Sequence, residues 1–462
     1  MAMTNRQNHK NDCFIFLTIE DLVPQNHLVR KLEAAIDFSF IYPKVEHLYS
    51  KVGRPSIDPV VLFKLLILNI VYGINSMRKT CERAQTDMAF RWFLGVNAYE
   101  TIPNYSTWSQ NYIRRYSDSK IFGEIFDEII SQAIQKHFVD LTTVFGDGTH
   151  QKANANKRKY HKEQVEICKK KYEDDLLKEI NLDRECIGKK TYDSIEREEI
   201  IFDEQTGEEK VVKEQKTICV SDTDSECGCF HKGEKERCFA YEHQAFCDKN
   251  GFVLVLKTNP GNVHDSVAFY SAYRELNKKY PGQITNICLD SAYNNAPICR
   301  EIEMNNQQAY MPYKRPMTKK GYMKKYEYVY DEQYDVYICP NNKLLTYTTT
   351  TRDGYREYVS DPSECKCCPY RNECTKSKNM KKVILRHIWE EYRENVDERR
   401  YTKKWKEIYP ERKETIERVF ADCKENFGLR FTRLKGLKKN QQQGLMIFAC
   451  HNLKKMALWN WK

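Results

Sequence analysis

Three acids in unlike settings are the residues of this chain best placed to do chemistry. Asp147 closes the apolar run of "VFGDGTHQKANANK", held between Gly146 and Gly148, with small polar and basic residues after it. Asp290 closes "ITNICLD" in the same manner. Glu417 lies in "YPERKETIERVFADCKENFGLR", where Pro410 suits a first helical turn and Gly428 a C-terminal cap. At a helical period Ile416, Val419, Phe420, Cys423 and Phe427 share one face. Glu411, Glu414, Asp422 and Glu425 point away from it, while Glu417 stands at its flank on a stripe with Lys413 and Lys424. Taken singly, each aspartate also reads as a turn or cap residue, and the Lys–Glu–Lys stripe as a surface ion-pair ladder. Taken together, three converging carboxylates suit a hard divalent cation, Mg²⁺ or Mn²⁺. A pair of such ions, roughly 3.5–4 Å apart, can activate an attacking oxygen and stabilise a leaving one at a phosphodiester. Lys424 is then a point charge for a phosphate.

The basic residues point to the same class of partner. The chain carries 75 Lys and Arg against 65 Asp and Glu, a net charge of +10, and residues 401–462 alone hold 15 against 6. So dense a tail reads as a nucleic-acid footprint. Lys152, Asn154, Arg430, Arg433 and Lys435 are the phosphate-contact candidates, on the strength of their clustering. His150 and His264 read as hydrogen-bonded structural histidines, and Asp265 as a helix cap. Cys339, Cys365, Cys368 and Cys374 form a set that either holds a structural Zn²⁺ through four thiolates or stays reduced within a β-rich insertion, and Cys367 blurs the assignment.

Positioning such acids requires a sheet, and the pattern supplies one. Residues 1–135 read as wholly helical, with Asp58 and Pro59 opening "DPVVLFKLLILNIVYGI" and Gly95 closing "SMRKTCERAQTDMAFRWFLG". From residue 136 the period changes to that of strands. The segments "DLTTVFGD", "AYEHQAFC", "FVLVLKTN", "ITNICLD" and "QAYMPYK" read as strands, with helices at "DSVAFYSAYRELNKKY" and "NAPICREIEMNN". This describes an α/β sheet of mixed direction over residues 136–320, interrupted at about 157–215 by an exposed helical insertion with a polar hairpin. Residues 321–380 form a Tyr- and Cys-rich β insertion, and residues 381–462 return to the core with the Glu417 helix and the basic tail. Strand-terminal acids of such a sheet meet in the crevice beyond the strand ends.

No secretory signal opens the chain, and its longest apolar run, broken by Lys64 and Asn69, falls short of the roughly 20 residues a bilayer requires. Eighteen scattered cysteines indicate a reducing compartment, so the cytoplasm is the expected location.

The set "VFGDGTHQKANANK", "ICLDSAY" and "KETIERVFADCKENFGLR", in that order, resembles the DDE transposases of bacterial insertion sequences. "GRPSIDPVVLFKLLILNIVYGINSMRKTCERAQTDMAFRWFLG" and "IPNYSTWSQ" are similar to the helical N-terminal domain of that group, and "NPGNVHDSVAF" and "RLKGLKKNQQQGLMIFACHNLKKMA" fit it as well. The resemblance implies a ribonuclease-H-like mixed sheet with flanking helices. It makes Asp147, Asp290 and Glu417 the metal-binding triad for two Mg²⁺ or Mn²⁺ ions. It also implies end cleavage and joining of 3′-hydroxyl ends to target DNA. The implied partner is double-stranded DNA, transposon ends and target, bound by a homodimer or higher assembly at the nucleoid, with no membrane involved. In the family motif Tyr, Arg, Glu and Lys recur at fixed spacings; Tyr409, Arg412, Glu417 and Lys424 follow it except that four residues, not three, separate Arg412 from Glu417. Arg412 is therefore not carried over. A nuclease that cuts without joining, and a DNA-binding derivative that no longer catalyses, are the alternatives.

Overall fold

The computed structural model describes residues 16–460 apart from 51, 54, 167–172, 196–197, 203–208, 214, 233–235, 316–317 and 319. The opening residues read above for a secretory signal lie outside this range. The protein is mixed α/β, with a helical N-terminal region and several sheets. It divides into two compact units, one of Met1–Phe138, Ala421–Arg430 and Gln441–Lys462, the other of Val139–Phe420 and Phe431–Asn440.

Helices α1 (Ile19–Leu22), α2 (Leu28–Ala35), α3 (Ile41–Val45), α4 (Pro59–Val71), α5 (Met77–Thr86), α6 (Met88–Leu94), α7 (Tyr105–Asn111) and α8 (Ile121–Gln135) form the first unit's N-terminal part. Asp58 caps α4 as read, its carboxylate accepting from the Val60 amide at 2.7 Å. Asp58→Ala should lower stability by about 1 kcal/mol, read as a shift in the urea midpoint at unchanged slope. The single helix expected between Ser76 and Gly95 is two, because Asp87 ends α5 and its carboxylate accepts from the Ala89 and Phe90 amides to begin α6. Gly95 closes α6 in the left-handed region at φ 73°. Asn104 caps α7, its side chain accepting from the Ser106 amide.

The second unit is built on a six-stranded sheet. Strand β1 (Thr143–Lys152) is followed by β2 (Tyr160–Glu166), helix α9 (Glu173–Cys186), β3 (Glu198–Phe202), β4 (Glu209–Lys213), β5 (Gln215–Ser221), β6 (Gly228–Lys232), β7 (Glu236–Asp248) and β8 (Val253–Pro260). Helix α10 (Asp265–Lys279), β9 (Asn286–Cys288), α11 (Ala296–Met304) and β10 (Gln308–Tyr310) complete it. The order is β10-β9-β1-β7, with β6 and β8 both on β7; β9 and β10 run parallel to β1, while β7 runs antiparallel to it. The opening residues of the insertion expected as helix and hairpin are instead strand β2, paired along its length with β5; helix α9 and the antiparallel pair β3–β4 follow it. Cross-strand partners overrode its charged, helix-favouring composition.

A second sheet of β11 (Val329–Asp331), β12 (Val336–Ile338), β13 (Leu344–Thr350), β14 (Tyr355–Ser360) and β15 (Val383–His387) is antiparallel throughout and runs past residue 380. Short helices α12 (Pro362–Lys366) and α13 (Arg371–Cys374) lie between its last two strands. Tyr328, Tyr337, Leu345, Tyr358 and Ile384 are its buried core. Helices α14 (Glu390–Arg399), α15 (Lys403–Glu411), α16 (Ile416–Asn426) and α17 (Leu437–Asn460) finish the chain. Pro410 lies inside α15, so the helix read from Pro410 to Gly428 is broken at Arg412, and only its second part carries Glu417.

Candidate active site

Asp147 does not end its strand. It sits midway along β1, opposite Ala245 of β7, and what ends there is the other ladder: β9 follows β1 only as far as the pair Phe145–Cys288. Asp147 and Asp290 each lie two residues beyond that pair. With side chains alternating along a strand, both continue the face of Phe145 and Cys288. The crevice therefore opens where β9 leaves β1, and the two acids stand at its mouth.

The flanking glycines have a packing reason. A Cβ on Gly146 would lie 2.5 Å from Phe246 Cε1 and 2.7 Å from Leu289 Cδ2. One on Gly148 would lie 2.6 Å from Glu242 Oε1. Both point to the face opposite Asp147, where Phe246, Phe269, Tyr273 and Tyr293 pack together under α10.

On the acid face, Arg412 holds two carboxylates at once. Its Nη2 is 2.5 Å from Asp147 Oδ2 and its Nη1 is 2.7 Å from Glu417 Oε1. The Arg412 side chain is 8% exposed, that of Asp147 20% and that of Glu417 47%, so the site is more buried at Asp147 than at Glu417. Asp147 Oδ1 accepts from the Gly148 amide at 2.9 Å, and Asp290 Oδ1 from the Ala292 amide at 2.7 Å. The latter is the turn geometry that a non-catalytic reading of Asp290 also expects. Burial pushes the Asp147 carboxyl up to about 6; the Arg412 guanidinium opposes this and the Asp290 charge adds to it. Arg412 itself would be lowered by burial, but Asp147 and Asp290 hold it above its usual range. Among the described residues no group of three or more His, Cys, Asp or Glu side chains stands close enough to hold a metal ion. Two of the three acids, Asp147 and Glu417, are held by an arginine. Their donor set is all oxygen, the kind a hard divalent ion takes.

Two further acids near these strands were not legible as buried carboxyls. Glu242 of β7 is fully buried; its Oε2 accepts from Asn259 Nδ2 at 2.8 Å, and its Oε1 has no partner among the described residues. Burial raises this carboxyl to about 8, with the Asp265 and Asp147 charges adding to the rise. The alternation Ala240, Glu242, Gln244, Phe246 was the available signal, since it sets an acid within a buried face. Asp265 is not the cap of α10: His264 is, its Nδ1 accepting from the Ser266 amide at 3.1 Å. Burial raises Asp265, and Asp290 adds to the rise. His150 stacks on Phe230 with ring centroids 3.7 Å apart.

The expected phosphate contacts are brought together in part. Lys152 forms a bridge with Phe431, and its carbonyl accepts from the Thr432 amide at 2.9 Å. Asn154 Nδ2 donates to the Arg433 carbonyl at 3.0 Å, so Asn154 ties the two segments together. Lys152, Arg433 and Lys435 are exposed along this edge of the second unit. Lys424 and Arg430 belong to the first unit, where Arg430 pairs with Glu425.

The cysteine set does not form a metal-holding cluster as arranged. Cys374 Sγ is 3.0 Å from the Tyr328 hydroxyl, Cys365 Sγ 3.1 Å from Ser360 Oγ, and Cys339 Sγ accepts from the Lys343 amide at 3.4 Å. Burial raises the Cys374 thiol, and the Cys365 and Cys339 charges add to the rise, so these three are neighbours. The Cys368 amide donates to the Cys365 carbonyl at 3.4 Å. The thiols of Cys339, Cys365 and Cys374 thus bond within the fold, beside the buried tyrosines of this sheet.

Comparison with known families gives two matches. Residues 338–457 match a transposase DDE domain, and residues 17–114 match a transposase domain known as DUF772. No match was found among curated proteins or among solved structures. The matched stretches include Glu417 and the four cysteines, while Asp147 and Asp290 lie between them. The class defined is that of transposases. More narrowly, the two domains in this order support an insertion-sequence DDE transposase.

Proposed function

We propose that this protein cleaves DNA at transposon ends and joins the freed 3′-hydroxyl ends to target DNA. The observation that supports the reading is that Asp147 and Asp290 each follow the last β1–β9 pair, Phe145–Cys288, by two residues, with Glu417 tied to Asp147 through Arg412. Three antiparallel strands followed by two parallel ones, in the order β8-β7-β1-β9-β10, support a ribonuclease-H-like sheet.

Asp147, Asp290 and Glu417 are the residues that would hold Mg²⁺ or Mn²⁺, two ions in the full reading. When bound, these ions supply positive charge that activates the attacking oxygen and stabilises the departing one. The protein's own residues orient the strand. Lys152, Arg433 and Lys435 offer cations to successive phosphates, and Lys424 would add a further one from α16. In the first step water attacks phosphorus, and the P–O3′ bond breaks to leave a 3′-hydroxyl and a 5′-phosphate. In the second that hydroxyl attacks a target phosphodiester, so one P–O bond forms as another breaks, without a covalent protein intermediate. The helical N-terminal region, matched to a transposase domain, is the proposed reader of the DNA ends, and two or more copies would assemble there. No helix among the described residues is long and apolar enough to cross a membrane, and the proposed place of action is the cytoplasm, at the nucleoid.

The test is incubation of the purified protein with DNA carrying the inverted repeats that flank its gene, with Mg²⁺ or with chelator. Nicked and strand-joined products that require Mg²⁺ are expected. Cutting without joining would turn the reading to a nuclease, and neither product at any metal concentration would end it.

A further inference from the structure

Arg412 occupies a position that a salt bridge made for stability alone does not explain. Its two Nη atoms reach separate carboxylates, Asp147 on a central strand and Glu417 on α16, instead of gripping one acid with both. The two-pronged grip on a single carboxylate is the favourable geometry for this side chain. Its Nε has no partner among the described residues, so the buried group is incompletely satisfied. Asp290 is near enough to raise its proton affinity as well. One delocalised cation thus spans two of the three acids, Asp147 and Glu417.

The backbone around it is firm. The Arg412 amide donates to the Tyr409 carbonyl at 3.2 Å, and its own carbonyl accepts from Thr415 Oγ1 at 3.2 Å. Tyr409 stacks on Trp405 with ring centroids 4.7 Å apart, and Trp405 Nε1 donates to the Met311 carbonyl at 3.2 Å. The corner between α15 and α16 is held in place, while the guanidinium sits at the end of a long side chain. Movement at this site therefore falls to the Arg412 side chain.

We propose that Arg412 is an internal counter-ion for the metal site: it neutralises Asp147 and Glu417 in the resting protein, and a divalent cation binds only as the guanidinium leaves those oxygens. This rests on the reading of the three acids as metal ligands. The same oxygen atoms cannot serve both cations fully, so the two compete, and by linkage whatever draws the arginine away tightens metal binding. An anionic phosphate strand is the chemistry that would draw it away. Metal loading is thereby tied to DNA loading, and the resting protein is kept from indiscriminate hydrolysis.

The experiment titrates Mn²⁺ alone into DNA-free protein, with free Mn²⁺ followed by electron paramagnetic resonance and melting temperature read in parallel. Wild type should bind weakly. Arg412→Gln should bind at least about tenfold tighter, the effect of roughly 1.4 kcal/mol of lost competition. Its melting temperature should be lower without metal and should rise more on adding Mn²⁺ than that of wild type. Arg412→Lys keeps the charge but cannot span both acids; it should fold and bind with intermediate affinity, which secures the test if the glutamine variant is too unstable. Adding Asp147→Asn to Arg412→Gln should abolish the gain. If both Arg412 variants bind Mn²⁺ as weakly as wild type while Asp147→Asn weakens what binding there is, the counter-ion role is overturned and the ligand reading survives. If Asp147→Asn leaves Mn²⁺ binding unchanged in every background, both fall together.

Discussion

Asp147→Asn, Asp290→Asn and Glu417→Gln are each expected to lower Mg²⁺-dependent DNA cleavage on the order of a thousandfold or more, while DNA binding without metal persists. The amides preserve volume, so the loss is one of charge where negative oxygens must hold a cation. Asp147 should also show the largest structural cost. Its Oδ2 is an ion-pair partner of the nearly buried Arg412, and removing one partner of a buried pair leaves a charge uncompensated, at about 3–5 kcal/mol. Glu417 is half exposed, so Glu417→Gln should fold almost as wild type does and isolates the chemical effect. Cleavage kinetics beside a gel-shift titration and a thermal melt separate these contributions. Any one of the three variants cutting at the wild-type rate removes that residue from the assignment.

The second large effect lies on the opposite face of β1. Glu242 is fully buried, and burial raises its carboxyl from the ordinary 4.5 to about 8. The folded state therefore keeps a proton that the unfolded chain gives up. Below about pH 4.5 both states are protonated and the group costs nothing. As pH rises toward 8 the unfolded state alone ionises, so stability falls across that window, and above 8 the full cost is present. Glu242→Gln cannot ionise and keeps an oxygen for Asn259 Nδ2. Its stability should match wild type near pH 5 and exceed it by a few kcal/mol at pH 8, since each tenfold difference in proton affinity between the two states is worth about 1.4 kcal/mol. Urea melts at pH 5, 6.5 and 8 read the difference directly; a gap that stays constant over this range would show that Glu242 does not titrate as its burial requires.

Much of the architecture was legible because it depends on local pattern. The Asp58–Pro59 start of α4, the left-handed Gly95 and Gly428 and the buried face of Ile416, Val419, Phe420, Cys423 and Phe427 all follow from caps and periodicity. The departures have both distant and local causes. Strand β2 looks helical by composition, but β5 offers it a ladder across an intervening helix and hairpin. Asp87 ends one helix and begins the next, a break that the continuous apolar pattern of the two conceals. Of the two readings left open for the cysteines, the arrangement described is the reduced one, with Cys374, Cys365 and Cys339 bonded to Tyr328, Ser360 and the Lys343 amide.

The residue types at the site, and their order along the chain, were determined by the sequence alone. Asp147 and Asp290 follow apolar runs, Glu417 flanks a helical apolar face, and the excess of cations gathers near the C-terminus. What sits among those acids was decided only by the tertiary structure. Arg412 departs by one residue from the family spacing, and a local reading sets it aside; the break between α15 and α16 turns its side chain toward β1 and gives it both carboxylates. The physical reason is that periodicity and capping act over a few residues. A buried charge is matched by whatever opposite charge the fold brings near, from anywhere in the chain.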